Sequence, residues 1–320
     1  TSICNILYPT NYLTTMAIEN HSVLPLIGSV LIIAALYMLS VLVAHLTYRK
    51  GLFAAAVISN KKSHRKTAFS YKKRGVSASL LAKEIKVLTR NMTYRMNCVF
   101  ANLIWPIAAV IFIIEAPKFE FFKLFRAKLA GNEPVSHIIL FGVFIAMAFI
   151  GSGLNSIAST SFTREGVHID MLKYLPADLG KQIRAKVWVA ILFTFIPVAF
   201  AVAAVTVFFG LNVMLPLYII TAFVCILTAT MIGVIMDSIS PYTVWSDELS
   251  ALRGNLNCFF NLAAELIAAL FAGGILYGTY LVSKSSVITI SVVAAILVVA
   301  SVLIVITGLP RVRKNIESLK

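Results

Sequence analysis

The sequence predicts an all-α, polytopic integral membrane protein with about seven transmembrane helices. Three observations carry that prediction. Of the 320 residues, 59% are hydrophobic and only 13% charged, whereas soluble domains sit near about 45–50% apolar and about 25% charged. The apolar residues gather into runs long enough to cross a hydrocarbon core of about 30 Å at about 1.5 Å per residue. The charges gather in the intervals between those runs, and the net charge of +15 is therefore a property of loops. Such a distribution reads as the positive-inside signature, and it argues against a nucleic-acid-binding surface.

Taken in order, residues 1–21 hold no Lys or Arg and only one acid, Glu19, and are expected to form an extracytoplasmic segment. A first span is expected over 22–47, closed by Tyr48, Arg49 and Lys50. Residues 48–75 then read as a basic cytoplasmic linker: the wider stretch 49–95 has thirteen Lys and Arg against one acid, Glu84. Attraction to anionic lipid accounts for such a loop.

Residues 76–95 place Leu80, Leu81, Ile85 and Leu88 on one helical face, with Lys83, Glu84, Lys86 and Arg90 elsewhere. That is the pattern of an interfacial helix, with Ser77 and Ser79 as candidate caps. Further spans are expected at about 96–114, 135–160, 187–210, 213–236, 258–282 and 287–307. The third span contains Gly151-Ser-Gly-Leu-Asn-Ser156, where small residues let another helix approach closely. A tight turn is expected near Leu211–Asn212.

The long polar interval 161–186 stands apart. It carries Arg164, Glu165, Asp170, Lys173, Asp178, Lys181, Arg184 and Lys186, yet also Met171, Leu172, Tyr174 and Leu175 followed by Pro176. Helices tend to stop before such a proline. A plain connection is one reading; a short helix lying across the membrane face and docking a soluble partner is the other, with Glu165, Asp170, Lys173 and Leu175 reaching into the partner's groove.

Seven spans put the two ends on opposite sides. With 49–95, 161–186, 238–257 and the tail inside, the 28 Lys and Arg divide 23 to 5. Residue 1 is therefore expected outside and the C-terminus in the cytoplasm, in a bacterial plasma membrane.

From residue 76 onward the plan is an interfacial helix, two spans, a long cytoplasmic loop, two spans, a cytoplasmic loop and two spans. It resembles the six-helix half of an ABC-2 type exporter permease. The run Arg164-Glu165-Gly166, then Lys173 and Leu175-Pro176, resembles an REG…K-x-LP pattern in that family's coupling loop. Asp237, Pro241, Trp245, Glu248 and Asn255 resemble the D…P…W…E…N pattern that follows it. The resemblance covers about residues 76–320.

It implies that 76–93 is the connecting helix and that 161–186 contacts a separate cytoplasmic ABC ATPase, bound in two copies. It also implies a second permease half, in the same chain or as a homo- or heterodimer, and a re-entrant turn near Ala272-Gly273-Gly274. Relatives with two halves in one chain make 22–47 the last helix of a first half. The absence of Met at residue 1 fits a piece of a longer polypeptide.

The sequence contains no GxxxxGK[ST], HExxH or GxSxG, so no ATP site, metal site or catalytic elbow is expected in this chain, and no cofactor. Four scattered cysteines without CxxC spacing point to neither a disulfide framework nor zinc. Glu265 is the one acid expected well inside a span. A charge there costs about 2.5–3.5 kcal/mol on insertion scales, which makes Glu265 a candidate pathway or gating residue, or a packing residue paired with Asn261. An ion-gradient-driven transporter or channel is the alternative reading. It calls for several intramembrane ionisable residues, and Glu265 stands nearly alone.

Overall fold

A computed structural model describes residues 9–19, 21, 23–60, 75–130, 133–210 and 214–319. Residues 61–74 of the expected basic linker and the turn at Leu211–Asn212 lie outside the described residues. The described secondary structure is entirely helical. Among the described residues seven helical stretches are long and apolar enough to cross a membrane: Leu24–Leu46, Met92–Lys118, Pro134–Leu154, Leu179–Phe209, Leu215–Ile239, Glu248–Ser283 and Ser286–Ser318. The protein is an all-α polytopic membrane protein.

The chain divides into two compact units, Thr1–Lys73 and Arg74–Lys320. In the first, helix α1 (Pro9–Glu19) packs on α2 (Leu24–Asn60), with Gly28 facing Leu13. The expectation that Tyr48, Arg49 and Lys50 close this helix is corrected: α2 continues through them to Asn60. Arg and Lys are good helix formers, so a charge marks the edge of the apolar run without ending the helix.

The second unit opens with α3 (Val76–Arg90), whose N-cap is Gly75, not either serine. Its inward stripe holds fully buried Leu88, and also Glu84, which lies on the buried face and not, as the apolar pattern implied, away from it. The next span starts irregularly at Met92, winds through a π turn at Arg95–Val99 and a 3-10 turn at Phe100–Leu103, and becomes regular in α4 (Ile104–Glu115). Asn side chains satisfy the disturbed backbone: Asn97 donates to the Thr93 carbonyl (2.9 Å) and Asn102 to the Cys98 carbonyl (3.2 Å). An amphipathic helix, α5 (Glu120–Ala130), then leads to α6 (Pro134–Leu154).

Beyond α6 come the short α7 (Met171–Tyr174), the long α8 (Leu179–Phe209), α9 (Leu215–Ile239), the short α10 (Glu248–Arg253), α11 (Leu256–Ser283) and α12 (Ser286–Ser318). Three boundaries differ from expectation. The third span stops at Leu154, because Asn155 caps it and turns the chain: its Oδ1 accepts from Ile157 N (2.9 Å). The interval 161–186 is shorter than expected, because Asp178 caps α8 and residues 179–186 are its first two turns. And α11 runs unbroken through Gly273 and Gly274. Each glycine costs a helix only about 1 kcal/mol, too little to break one of this length. The amphipathic element at the end of the bundle remote from the 161–178 connection is α5, between the first two spans of this unit.

At the centre, α9 packs against α6, α8, α11 and α12. Phe141 and Phe144 of α6 close around Tyr218 of α9, with ring centroids 5.6 and 5.4 Å apart. Lipid supplies no hydrophobic drive for such contacts, so close approach decides them. Gly151 lets Trp105 and Val198 touch the α6 backbone: a Cβ there would lie 3.0 Å from both. Gly153 does the same for α11, where a Cβ would lie 2.6 Å from Glu265 Oε2.

Candidate functional site

The connection between α6 and α8, Asn155–Asp178, is the most heavily tied segment of the second unit. Asn155 fixes its start: Nδ2 donates to Thr194 Oγ1 (2.6 Å), the Gly151 carbonyl (3.0 Å) and Asn102 Oδ1 (3.4 Å). Residues 157–164 are all buried. Backbone groups buried there need partners, and one side chain supplies several of them. Asp237, in the last turn of α9 and fully buried, accepts from Phe162 N (2.6 Å), Thr163 N (3.1 Å), Thr163 Oγ1 (2.6 Å) and Asn257 Nδ2 (3.3 Å).

Thr163 extends the junction. Its hydroxyl also accepts from Tyr242 N and Asn255 Nδ2, both 3.1 Å, and its carbonyl accepts from Trp245 Nε1 (3.0 Å). The Trp245 ring covers Gly166, which sits at φ +58°; a Cβ there would lie 2.9 Å from Cζ2. Only glycine meets both demands, the left-handed backbone and the close ring. The connection 155–178 is thereby joined to the segments on either side of α10.

Beside this junction lies a cluster of buried charge. Lys186, on α8 and fully enclosed, donates from Nζ to Glu165 Oε1 (2.6 Å), Glu84 Oε1 (3.0 Å) and the Ser161 carbonyl (2.9 Å). Those three bonds use all the donors of an ammonium. Lys83 of α3 adds a second cation on Glu165 Oε1 at 2.8 Å. Burial alone would raise the Glu165 carboxyl; Lys186 and Lys83 outweigh it and hold the group at about 2. Two lysines and two glutamates thus compensate one another, joining α3, α8 and the 3-10 turn Thr163–His168. Next to them Arg164 donates from Nη1 to the Ile157 carbonyl and Thr160 Oγ1, both 2.7 Å.

The sequence-predicted residues therefore separate. Arg164, Glu165 and Gly166 face inward, and the expectation that Glu165 reaches out to a partner's groove is corrected, because its carboxylate is spent on Lys186 and Lys83. Asp170 and Lys173 are exposed and pair with each other (3.0 Å), while Lys173 also donates to the Leu319 carbonyl. Leu175 and Pro176 are exposed. Ile169 and Leu172 anchor the segment from below, and Gln182 holds it by donating to the carbonyls of Leu172 and Ala177, both 2.9 Å. What remains outward is an apolar ridge: Val167 (68% exposed), Met171 (60%), Tyr174 (85%) and Leu175 (41%).

The sequence pattern includes Asp237 without showing what it binds, and does not pair Lys186 with Glu84. A signal existed for each: Glu84 is the single acid among thirteen basic residues, and Asp237 sits at the end of an otherwise uncharged apolar run.

Glu265 and Asn261 lie one turn apart on α11, both fully buried, with Asn261 Nδ2 donating to Glu265 Oε1 (2.7 Å). Gly153 of α6 closes over Glu265, and Gly233 of α9 closes over Asn261. Among the described residues no cation forms an ion pair with Glu265, and the pair occupies a packing seam. No group of His, Cys, Asp and Glu among the described residues is arranged to hold a metal ion. No family model, curated protein or solved structure matches the chain.

Proposed function

We propose that the chain is the membrane-spanning permease subunit of an ABC-2 type exporter, in which a separate cytoplasmic ATPase drives substrate efflux by pushing on the 161–178 connection. One observation carries the reading. This connection presents an exposed apolar ridge at one end of the bundle while buried bonds tie it to four helices: Glu165 to α3 and α8, and Thr163 through Asp237 and Asn255 to α9 and α11. A solvated linker needs neither feature. A coupling element needs both, because a force arriving at the ridge reaches the spans only through stiff contacts.

In this reading Val167, Met171, Tyr174 and Leu175 enter a groove on the ATPase. Exposed tyrosine and methionine on a rigid support are typical interface anchors. Asp170 and Lys173 form the polar rim, and Arg164, Glu165 and Gly166 transmit. The protein lies in the bacterial plasma membrane with this end in the cytoplasm, pairs with a second six-helix half and binds two ATPase copies. ATP is hydrolysed by the partner, so the chain itself is not an enzyme.

The test is purification from native membranes in mild detergent, with wild type compared against Met171→Asp/Tyr174→Ala. A stoichiometric ATPase that is recovered with wild type and lost with the double variant, at unchanged thermal midpoint, supports the reading. Recovery of the chain alone, with no nucleotide-dependent activity, sinks it. The ion-gradient-driven alternative would then be tested at Glu265.

A further inference from the structure

A cavity of about 400 Å³ lies at the bundle end remote from the 161–178 connection, enclosed by α4, α5, α6 and α8. Its walls are hydrocarbon and aromatic ring with almost no polar atom. Phe112 of α4 meets Phe122 of α5 (centroids 5.0 Å apart) and Phe209 of α8 (5.9 Å), Phe125 meets Phe209 (5.3 Å), and Trp105 and Val143 line the remainder. Ile139, which also lines the cavity, and Phe121 at its edge are mostly exposed (51% and 69%), so the space communicates with the bilayer side of the spans. Water has no partners in such a space, whereas a hydrocarbon chain fits its chemistry.

The helix that roofs the cavity supplies a second observation. On α5, Lys118 and Lys128, at or beside its ends, are neutralised by Glu115 (2.9 Å) and Glu133 (3.5 Å). Lys123 and Arg126 are exposed and have no acidic partner among the described residues. Arg126 stands over Phe208, 5.6 Å from the ring centroid, beside the aromatic wall. Glu120, the one acid on this helix, stands one turn before Lys123 but forms no ion pair with it among the described residues. Two cations without an ion-pair partner thus sit on the helix that roofs a hydrocarbon cavity, a helix whose amphipathic character places it at the level of lipid headgroups.

We propose that this cavity holds one acyl chain of an anionic phospholipid, with the headgroup phosphate at Lys123 and Arg126. A zwitterionic lipid offers the same chain but a weaker net attraction to two cations, so the site discriminates by headgroup while the cavity selects only for hydrocarbon. The inference is independent of the ATPase reading, since it concerns the opposite end of the bundle and needs no partner protein.

Trp105 inside the cavity is the reporter. The full chain is reconstituted in phosphatidylcholine vesicles containing a minor fraction of lipid brominated on its acyl chains, either phosphatidylglycerol or phosphatidylcholine. The contribution of Trp188 and Trp245 is subtracted with a Trp105→Phe variant. The expected result is stronger quenching of Trp105 by brominated phosphatidylglycerol than by its zwitterionic counterpart. Lys123→Gln/Arg126→Gln abolishes that preference, and Ala108→Phe, which fills the cavity, abolishes the excess quenching itself. Equal quenching by the two lipids, or a preference that survives the surface double variant, overturns the proposal. Lys123 and Arg126 are exposed, so that variant remains informative even where cavity filling harms folding.

Discussion

Lys186 is the residue on which the buried charge cluster depends. Removing one partner from a buried ion pair leaves an uncompensated charge and typically costs about 3–5 kcal/mol. Lys186→Met leaves Glu84 and Glu165 with only Lys83 (3.6 and 2.8 Å), one partly exposed cation for two acids, so the expected outcome is a fall in thermal midpoint in detergent; a change within error would contradict the geometry. Glu165 adds a pH dependence with a definite sign. Its folded-state value of about 2 lies below the ordinary 4.5, so its contribution is fully present above pH about 4.5 and is lost as pH falls towards 2. The thermal midpoint of wild type should drop through that acid window more steeply than that of Glu165→Gln. The lone acid Glu84 stands out in the sequence but its partner does not, because Glu84 and Lys186 are 102 positions apart and spacing rules reach only along one helix or strand.

Among the elements, α6 and α11 approach closely where Gly153 meets Leu262 and Glu265. A Cβ at Gly153 would lie 2.6 Å from Glu265 Oε2 and 2.9 Å from Leu262 Cδ1, so Gly153→Val must displace these two side chains in the seam. Overpacking of this kind costs about 1–3 kcal/mol. On the other side of the seam, Glu265→Gln keeps a group that accepts from Asn261, whereas Glu265→Leu strands a buried amide at about 1–3 kcal/mol. The expected order of thermal midpoints is wild type and Glu265→Gln together, then Glu265→Leu; a Leu variant as stable as Gln would show that the hydrogen bond is dispensable. The spans are legible in the sequence because an uncharged apolar run of about 18 residues matches the thickness of a bilayer and exceeds what a buried core helix needs. Their ends are not: α2 and α8 carry helix well past the apolar run, through Arg49 and Lys50 in one and Lys181 to Lys186 in the other. Hydropathy reports where lipid contact ends, while capping by groups such as Asp178 and Asn155 decides where helix begins and stops.

For the whole molecule, the proposed orientation is testable with single cysteines in a background whose four native cysteines are replaced. Lys128→Cys should react with a membrane-impermeant maleimide in intact cells, and Tyr174→Cys only after permeabilisation; the reverse pattern would invert the topology. The loop at 161–178 is recognisable in sequence as a mixture of charge and apolar groups, but which of its residues turn outward is not. Glu165 and Met171 look equally available on paper, and only the positions of Lys83 and Lys186 decide between them. The Asp237 junction has a genetic consequence. Because one carboxylate and one threonine hydroxyl bind both connections, a lesion in either should be repaired from the other. Partial second-site suppressors of Gly166→Ala are expected at Trp245, where a smaller side chain vacates the space a new methyl needs while the backbone strain at φ +58° stays, and they should be rare within residues 167–178 themselves. Inheritance of the two segments would then be linked: in any lineage derived from this chain they would drift as a pair, each setting which changes the other tolerates.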